Sequence, residues 1–124
     1  MIQFRNNQYQ CSMELTIDLI GGKWKSLILW HLASKTLRFS ELRKSIPQVT
    51  QKMLTQQLRE LEEDGLVHRH VYTEIPPRVE YSLTDAGKSI IPILQSMCQW
   101  GLQYTKLFNS SLDHQNMIAE LPGE

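Results

Sequence analysis

Six side chains in one short stretch have the chemistry to read a polar edge: Thr50, Gln51, Lys52, Thr55, Gln56 and Arg59. Glutamine matches an edge offering one donor and one acceptor, arginine and lysine match two acceptors, and threonine meets a methyl group or a phosphate. Those are the pairings that distinguish bases in a DNA major groove. Arg43 and Lys44 lie just upstream, placed to hold phosphates together with the free amides at a helix start. Arg78 follows a Pro-Pro pair and is a candidate for a narrow minor groove, which attracts guanidinium.

The elements that must carry these residues can be read from the same stretch. Leu54, Leu58 and Leu61 recur at i, i+4 and i+7, so one helix turns a leucine seam inward and the polar set outward. Thr50 stands at its N-cap, and Val49 before it can staple onto Leu54. Upstream, Ser40 is the expected cap of a first helix, with Glu41 in its first turn and Leu42 and Ile46 pointing inward. Pro47 ends that helix, and Pro47-Gln48-Val49 makes the turn. Gly65 closes the second helix. Residues 66–72 and 79–83 then read as strands joined by TEIPPR, whose prolines cannot sit inside a ladder. Leu37-Arg38-Phe39 is a short strand expected to pair with that hairpin and close a three-stranded edge. The stretch is therefore a helix, a three-residue turn, a helix and a hairpin with an exposed tip. The acids Glu60, Glu62, Glu63 and Asp64 at the end of the second helix must point away from any DNA.

On either side the chain is more apolar. Residues 1–10 are polar and are expected to form a flexible arm. Ser12 offers an N-cap to a helix with two apolar stripes, Met13, Ile17 and Ile20 on one and Leu15 and Leu19 on the other. Two stripes on so short a helix imply burial on two sides, the second at a subunit contact. Gly21-Gly22 ends it. Residues 23–33 are apolar nearly all round and form the central core helix, in which His31 is a core or boundary histidine. Thr84 and Asp85 begin a last apolar helix in which Pro92 implies a kink or a break near Ser89. It carries more hydrophobic surface than one small core can cover, so a homodimer is expected. Residues 109–124 lack a period and are expected to be partly ordered at best.

Composition bounds the function. The chain has 124 residues, 41% hydrophobic and 21% charged, the proportions of one small globular domain. Thirteen basic and thirteen acidic residues give zero net charge, which by itself argues against a nucleic-acid partner. The distribution argues the other way, because residues 21–78 hold ten basic against six acidic residues. No nucleophile elbow, phosphate loop or paired carboxylates suggest an enzyme. His68 and His70 lack the companions of a metal site, and no cofactor is implied. The N-terminus has no apolar h-region and no run approaches a membrane span, so a cytoplasmic protein is expected. Two cysteines are too few for a disulfide framework. Cys98 falls in the apolar period of the last helix and reads as core. Cys11 precedes a helix N-terminus, which favours thiolate, the reactive form.

At this point the chain resembles a known family. Cys11, IGGKW from Ile20, RFSEL from Arg38, LTQQLRELEEDGLVHR from Leu54, PPRVEYSLTDAGKSIIPIL from Pro76 and the Trp100-Gly101 pair occur in the order and spacing of the HxlR-type bacterial transcriptional regulators, relatives of the MarR group. The resemblance covers about residues 11–104. It implies a mainly α fold with a small antiparallel β-hairpin, a winged helix-turn-helix over residues 11–108, dimerising through its N- and C-terminal helices. The function implied is a dimeric, sequence-specific repressor or activator on double-stranded DNA, with the second helix in the major groove and the wing at the minor groove. Two-fold symmetry then requires a pseudo-palindromic operator. Some relatives sense oxidants or electrophiles through a cysteine at the place of Cys11, so a thiol switch there, or another small-molecule effector, is a further expectation. Ser12 departs from the pattern, which often has proline. The alternative is a winged-helix module that binds protein without DNA, which zero net charge permits.

Overall fold

Leu54, Leu58 and Leu61 are buried to 0–2% exposure on one side of a helix over Gln51–Glu63, and the winged unit is assembled around that seam. A computed structural model of the chain describes residues 1–111. In chain order it has β1 (Ile2–Phe4), β2 (Asn7–Tyr9), α1 (Ser12–Ile20), α2 (Lys25–His31), β3 (Leu37–Arg38) and α3 (Phe39–Ser45). α4 (Gln51–Glu63), β4 (Val67–Tyr72), β5 (Arg78–Leu83), α5 (Asp85–Lys88) and α6 (Ile91–Ser111) follow. These fall into two compact units that divide after Ser89. Residues 112–124, and with them most of the expected loose tail, lie outside the described residues.

In the first unit, Ile28 and Leu29 of α2, Leu42 of α3, Leu54 and Leu61 of α4 are fully buried, joined by Val49 and Val67 at 2% exposure. Each such side chain contributes roughly 1.5–3 kcal/mol of burial. The sheet has the order β3-β5-β4, all antiparallel, with Leu37 opposite Tyr81, Val67 opposite Leu83 and Tyr72 opposite Arg78. This is the three-stranded edge that the sequence anticipates. Gly65, at φ +78°, is the left-handed residue after α4. Gly87 has a different reason: a Cβ there would sit 2.1 Å from the carbonyl oxygen of Leu66. Thr84 locks the same corner, accepting from the Gly87 N–H at 3.0 Å and donating to the Gly65 carbonyl at 2.6 Å.

Several local expectations are corrected. Residues 1–10 are not a loose arm. β1 and β2 pair, Arg5 takes a left-handed φ of 57° in the loop, and Tyr9 is buried. The Arg5 guanidinium also reaches the end of α4, bonding the Asp64 carboxylate at 2.8 Å and the Glu63 carbonyl. The segment is held by its own strand pairing, by the buried Tyr9 and by this contact of its one arginine with the acidic helix end. Ser12 is the first residue of α1, after Cys11 at the cap, and no side chain caps that helix. The core helix is shorter than expected, with Trp24 at its cap. α3 starts before Ser40: Arg38 is the cap, and its N–H donates to the Glu41 carboxylate at 2.7 Å.

The second unit is α6. The helical pattern after Thr84 does break before Pro92, into α5 and α6. Ile93, Met97, Trp100, Tyr104 and Leu107 are 49–70% exposed. Their steps of four and three residues make one seam of the kind that pairs helices. Trp100 and Tyr104 stack at 5.3 Å, and Tyr104 and Phe108 at 6.1 Å. Among the described residues no helix is long and apolar enough to cross a membrane.

Candidate nucleic-acid interface

The turn between α3 and α4 is fixed from inside. Ile46 and Val49 are buried, and the Val49 N–H donates to the Ile46 carbonyl at 3.1 Å, leaving Pro47 and Gln48 outside. Thr50 then caps α4 as expected, its hydroxyl accepting from the Met53 N–H at 3.0 Å. With the start of α4 held, Gln51, Lys52, Thr55, Gln56 and Arg59 are all exposed. At roughly 100° per residue they span an arc of about 140° whose middle is turned about 120° from the leucine seam. The structure thus brings these sequence-chosen side chains to one face. Arg43 and Lys44, also exposed, lie in the last turn of α3 across the tight turn.

The acidic end of α4 is more varied than one cluster turned away. Glu60 pairs with Lys25 and Asp64 with Arg5, at 2.7 and 2.8 Å. Glu62 and Glu63 stay exposed, and Glu62 lines a groove with Thr55 and Arg59, on the polar face itself. The basic face is therefore confined to the first two turns and a half of α4.

That groove, about 370 Å³, also holds Arg69. Alternation along β4 puts Arg69 on the side of buried Val67, toward α4, and opposite Tyr81. Neither Arg59 nor Arg69 makes an ion pair or a side-chain hydrogen bond among the described residues. The alternation was visible in the sequence, but the nearness of Arg59 was not. His68, His70 and Tyr72 take the other side of the strand, His70 meeting Tyr72 edge-on at 4.3 Å. Among the described residues no group of His, Cys, Asp or Glu is arranged to hold a metal.

Arg78 is placed differently from the expectation of a free minor-groove probe. Its guanidinium lies 4.0 Å from the Tyr72 ring centre and pairs with Glu74 and Glu80 at 3.4 and 3.5 Å. The cross-strand pairing of Tyr72 with Arg78 puts cation over ring, and two carboxylates follow the charge. Tyr72 in turn donates to Glu80 at 2.9 Å. The wing tip beyond, with Ile75 fully exposed, carries no basic side chain. Burial pushes the His31 imidazole down from its ordinary value, with Lys35 adding to it, as suits a boundary histidine.

Cys11 is exposed at the cap of α1, its carbonyl accepting from the Glu14 N–H at 3.1 Å. Cys98 is half-buried on α6.

Comparison with known proteins completes the picture. The model of the HxlR-like helix-turn-helix family matches residues 19–108. A protein of Methanothermobacter thermautotrophicus, named an uncharacterized HTH-type transcriptional regulator, is 57% identical over 99 residues, 80% of this chain and 76% of that one. YdeP of Bacillus subtilis, also named an HTH-type transcriptional regulator, is 49% identical over 104 residues, 83% of this chain and 81% of the relative. Among solved structures, the redox regulator HypR in its reduced form is similar with a TM-score of 0.77 and 48% identity, covering 81% of this chain and 99% of HypR. Its oxidized form gives 0.73 and 52%, covering 75% and 96%. The capped second helix, the three-stranded wing and these matches together place the chain in the HxlR-like helix-turn-helix family of transcriptional regulators.

Proposed function

We propose that this regulator binds a pseudo-palindromic operator in double-stranded DNA as a homodimer, in the cytoplasm, with α4 of each copy in the major groove. The observation that carries the reading is the exposed arc of Gln51, Lys52, Thr55, Gln56 and Arg59, with Thr50 at its cap, on a helix anchored by three buried leucines. A rigid helix with one hydrogen-bonding face is what base readout needs. Arg43 and Lys44 hold flanking phosphates and set register. Arg69, unpaired in the groove beside Arg59, adds a phosphate contact from the wing. Arg78 stiffens the wing first; to enter a minor groove it must leave Glu74 and Glu80.

A single α4 reads too few bases for a specific site, and the exposed apolar seams supply the second copy. On α1 the open side chains are Met13 and Ile17, 64% and 56% exposed, and not the half-buried Leu15 and Leu19 that the sequence points to for this contact; the α6 seam is longer still. Such surface is rarely left bare. A thiol response at Cys11 is the second proposal: its exposure at a helix cap gives an oxidant access, and the similarity to HypR, named a redox regulator, supports it.

A gel-shift series over salt concentration tests the DNA reading. Affinity should fall steeply with salt, because several phosphates release counterions. Absence of binding at low salt would favour a protein partner instead. The switch proposal expects diamide or a quinone to change operator affinity in wild type and not in Cys11→Ser.

A further inference from the structure

One acid on α4 stands in a chain of contacts that the DNA-facing arc does not explain. The carboxylate of Glu60 has two oxygens and two partners: Oε1 lies 2.7 Å from Nζ of Lys25, and Oε2 accepts from Nε2 of Gln56 at 2.7 Å. Lys25 opens α2 and is only 8% exposed, whereas Gln56 is on the exposed reading face. Buried cation, half-exposed anion and exposed amide thus run in line from the core to the surface.

We propose that Lys25 and Glu60 are positioning residues for Gln56, so that base choice at one operator position depends on a buried lysine beneath the reading helix. The inference rests on α4 lying in the major groove, as proposed above.

The physical reason is the one-sidedness of a carboxylate. An ionised Glu60 only accepts, so the Gln56 amide must turn its NH2 group toward it and its carbonyl away. A free glutamine on a helix surface can present either end. Held this way, Gln56 offers an outward acceptor beside its one remaining N–H. That arrangement suits adenine, whose groove edge has one donor and one acceptor, and disfavours guanine, whose edge has two acceptors. Lys25 does the holding. It keeps Glu60 charged and in a single rotamer, and its hydrogen bond, with that of Gln56, holds the carboxyl below its ordinary value. It also neutralises an anion that would otherwise face DNA phosphates.

A merely structural ion pair between α2 and α4 would make a different prediction. Losing it would weaken binding to every sequence alike through the helix's placement. Losing an amide-positioning device instead changes a preference at one base pair.

The test measures the affinity of the full-length protein for its footprinted operator and for a panel with each base pair replaced in turn. Wild type, Gln56→Ala, Lys25→Met, Lys25→Arg and the double variant Gln56→Ala with Lys25→Met are compared. Lys25→Met is chosen because it keeps the buried volume and the carboxylate it leaves unpaired is 36% exposed and open to water, and Glu60→Gln is a second way to free the Gln56 amide if that variant fails to fold, since a neutral amide donates as well as accepts. Lys25→Met should lower adenine-over-guanine discrimination by about three- to tenfold at the position that Gln56→Ala identifies. Lys25→Arg should restore most of it, and in the Gln56→Ala background Lys25→Met should change that position no further. Equal weakening across the panel by Lys25→Met overturns the proposal, as does a specificity change that persists without Gln56. If Gln56→Ala removes no preference from wild type at any position, the reading face itself is wrong, and the inference falls with it.

Discussion

Two amphipathic helices of this chain treat their apolar seams in opposite ways. In α4, Leu54, Leu58 and Leu61 are at 0–2% exposure, on a helix packed against α2 and β4. In α6, Ile93, Met97, Trp100, Tyr104 and Leu107 follow an equally regular spacing and are 49–70% exposed. Hydrophobic periodicity is the same signal in both. What differs is whether one chain contains the other half of the packing. α4 is complete within a single copy and can serve as a rigid probe, while α6 is open and supplies half of the dimer interface proposed above.

The comparison can be strained from its sealed side first. Leu58→Ala removes a side chain at 2% exposure in the middle of α4. It should cost about 2–5 kcal/mol in urea unfolding and abolish operator binding with it. Trp100→Ala, at 65% exposure and stacked on Tyr104, should leave the monomer folded but weaken self-association by about 2 kcal/mol. Sedimentation equilibrium would register this as a shift from dimer to monomer. If Trp100→Ala unfolds the chain as Leu58→Ala does, the two seams are not of different kinds. The smallest expected effect sharpens the account of α4 alone: Thr50→Ala removes the cap on Met53 and should lower stability by about 1 kcal/mol, with circular dichroism showing fraying of that helix.

The sequence was most legible where the signal is local. The α4 cap, the leucine seam and the glycine after it follow from residues a few places apart, and the two hairpin strands from simple alternation. The polar arc was legible for the same reason, since helix geometry alone puts those side chains on one face. What escaped depends on partners distant in sequence or met only across the strand ladder. Residues 1–10 read as a loose arm because nothing local announces that Arg5 meets Asp64. The acids ending α4 read as one cluster because charge counting ignores partners. Lys25 takes Glu60, Arg5 takes Asp64, and Glu62 remains in the groove with Arg59. Arg78 read as a free probe because sequence shows Pro-Pro beside it and not the Tyr72 ring across the ladder. Arg69 was passed over for the mirror-image reason: its strand face was readable, but not that α4 brings Arg59 to the same groove.

The central claim is that two sealed reading helices are joined by two open seams on one DNA site. Footprinting the purified full-length protein at low salt, on the DNA just upstream of its own coding region, tests this most directly. Two protected half-sites in inverted orientation are expected, their centres about 10 base pairs or a multiple apart. Protection of one unpaired half-site by a monomer, or none at any sequence, would contradict it.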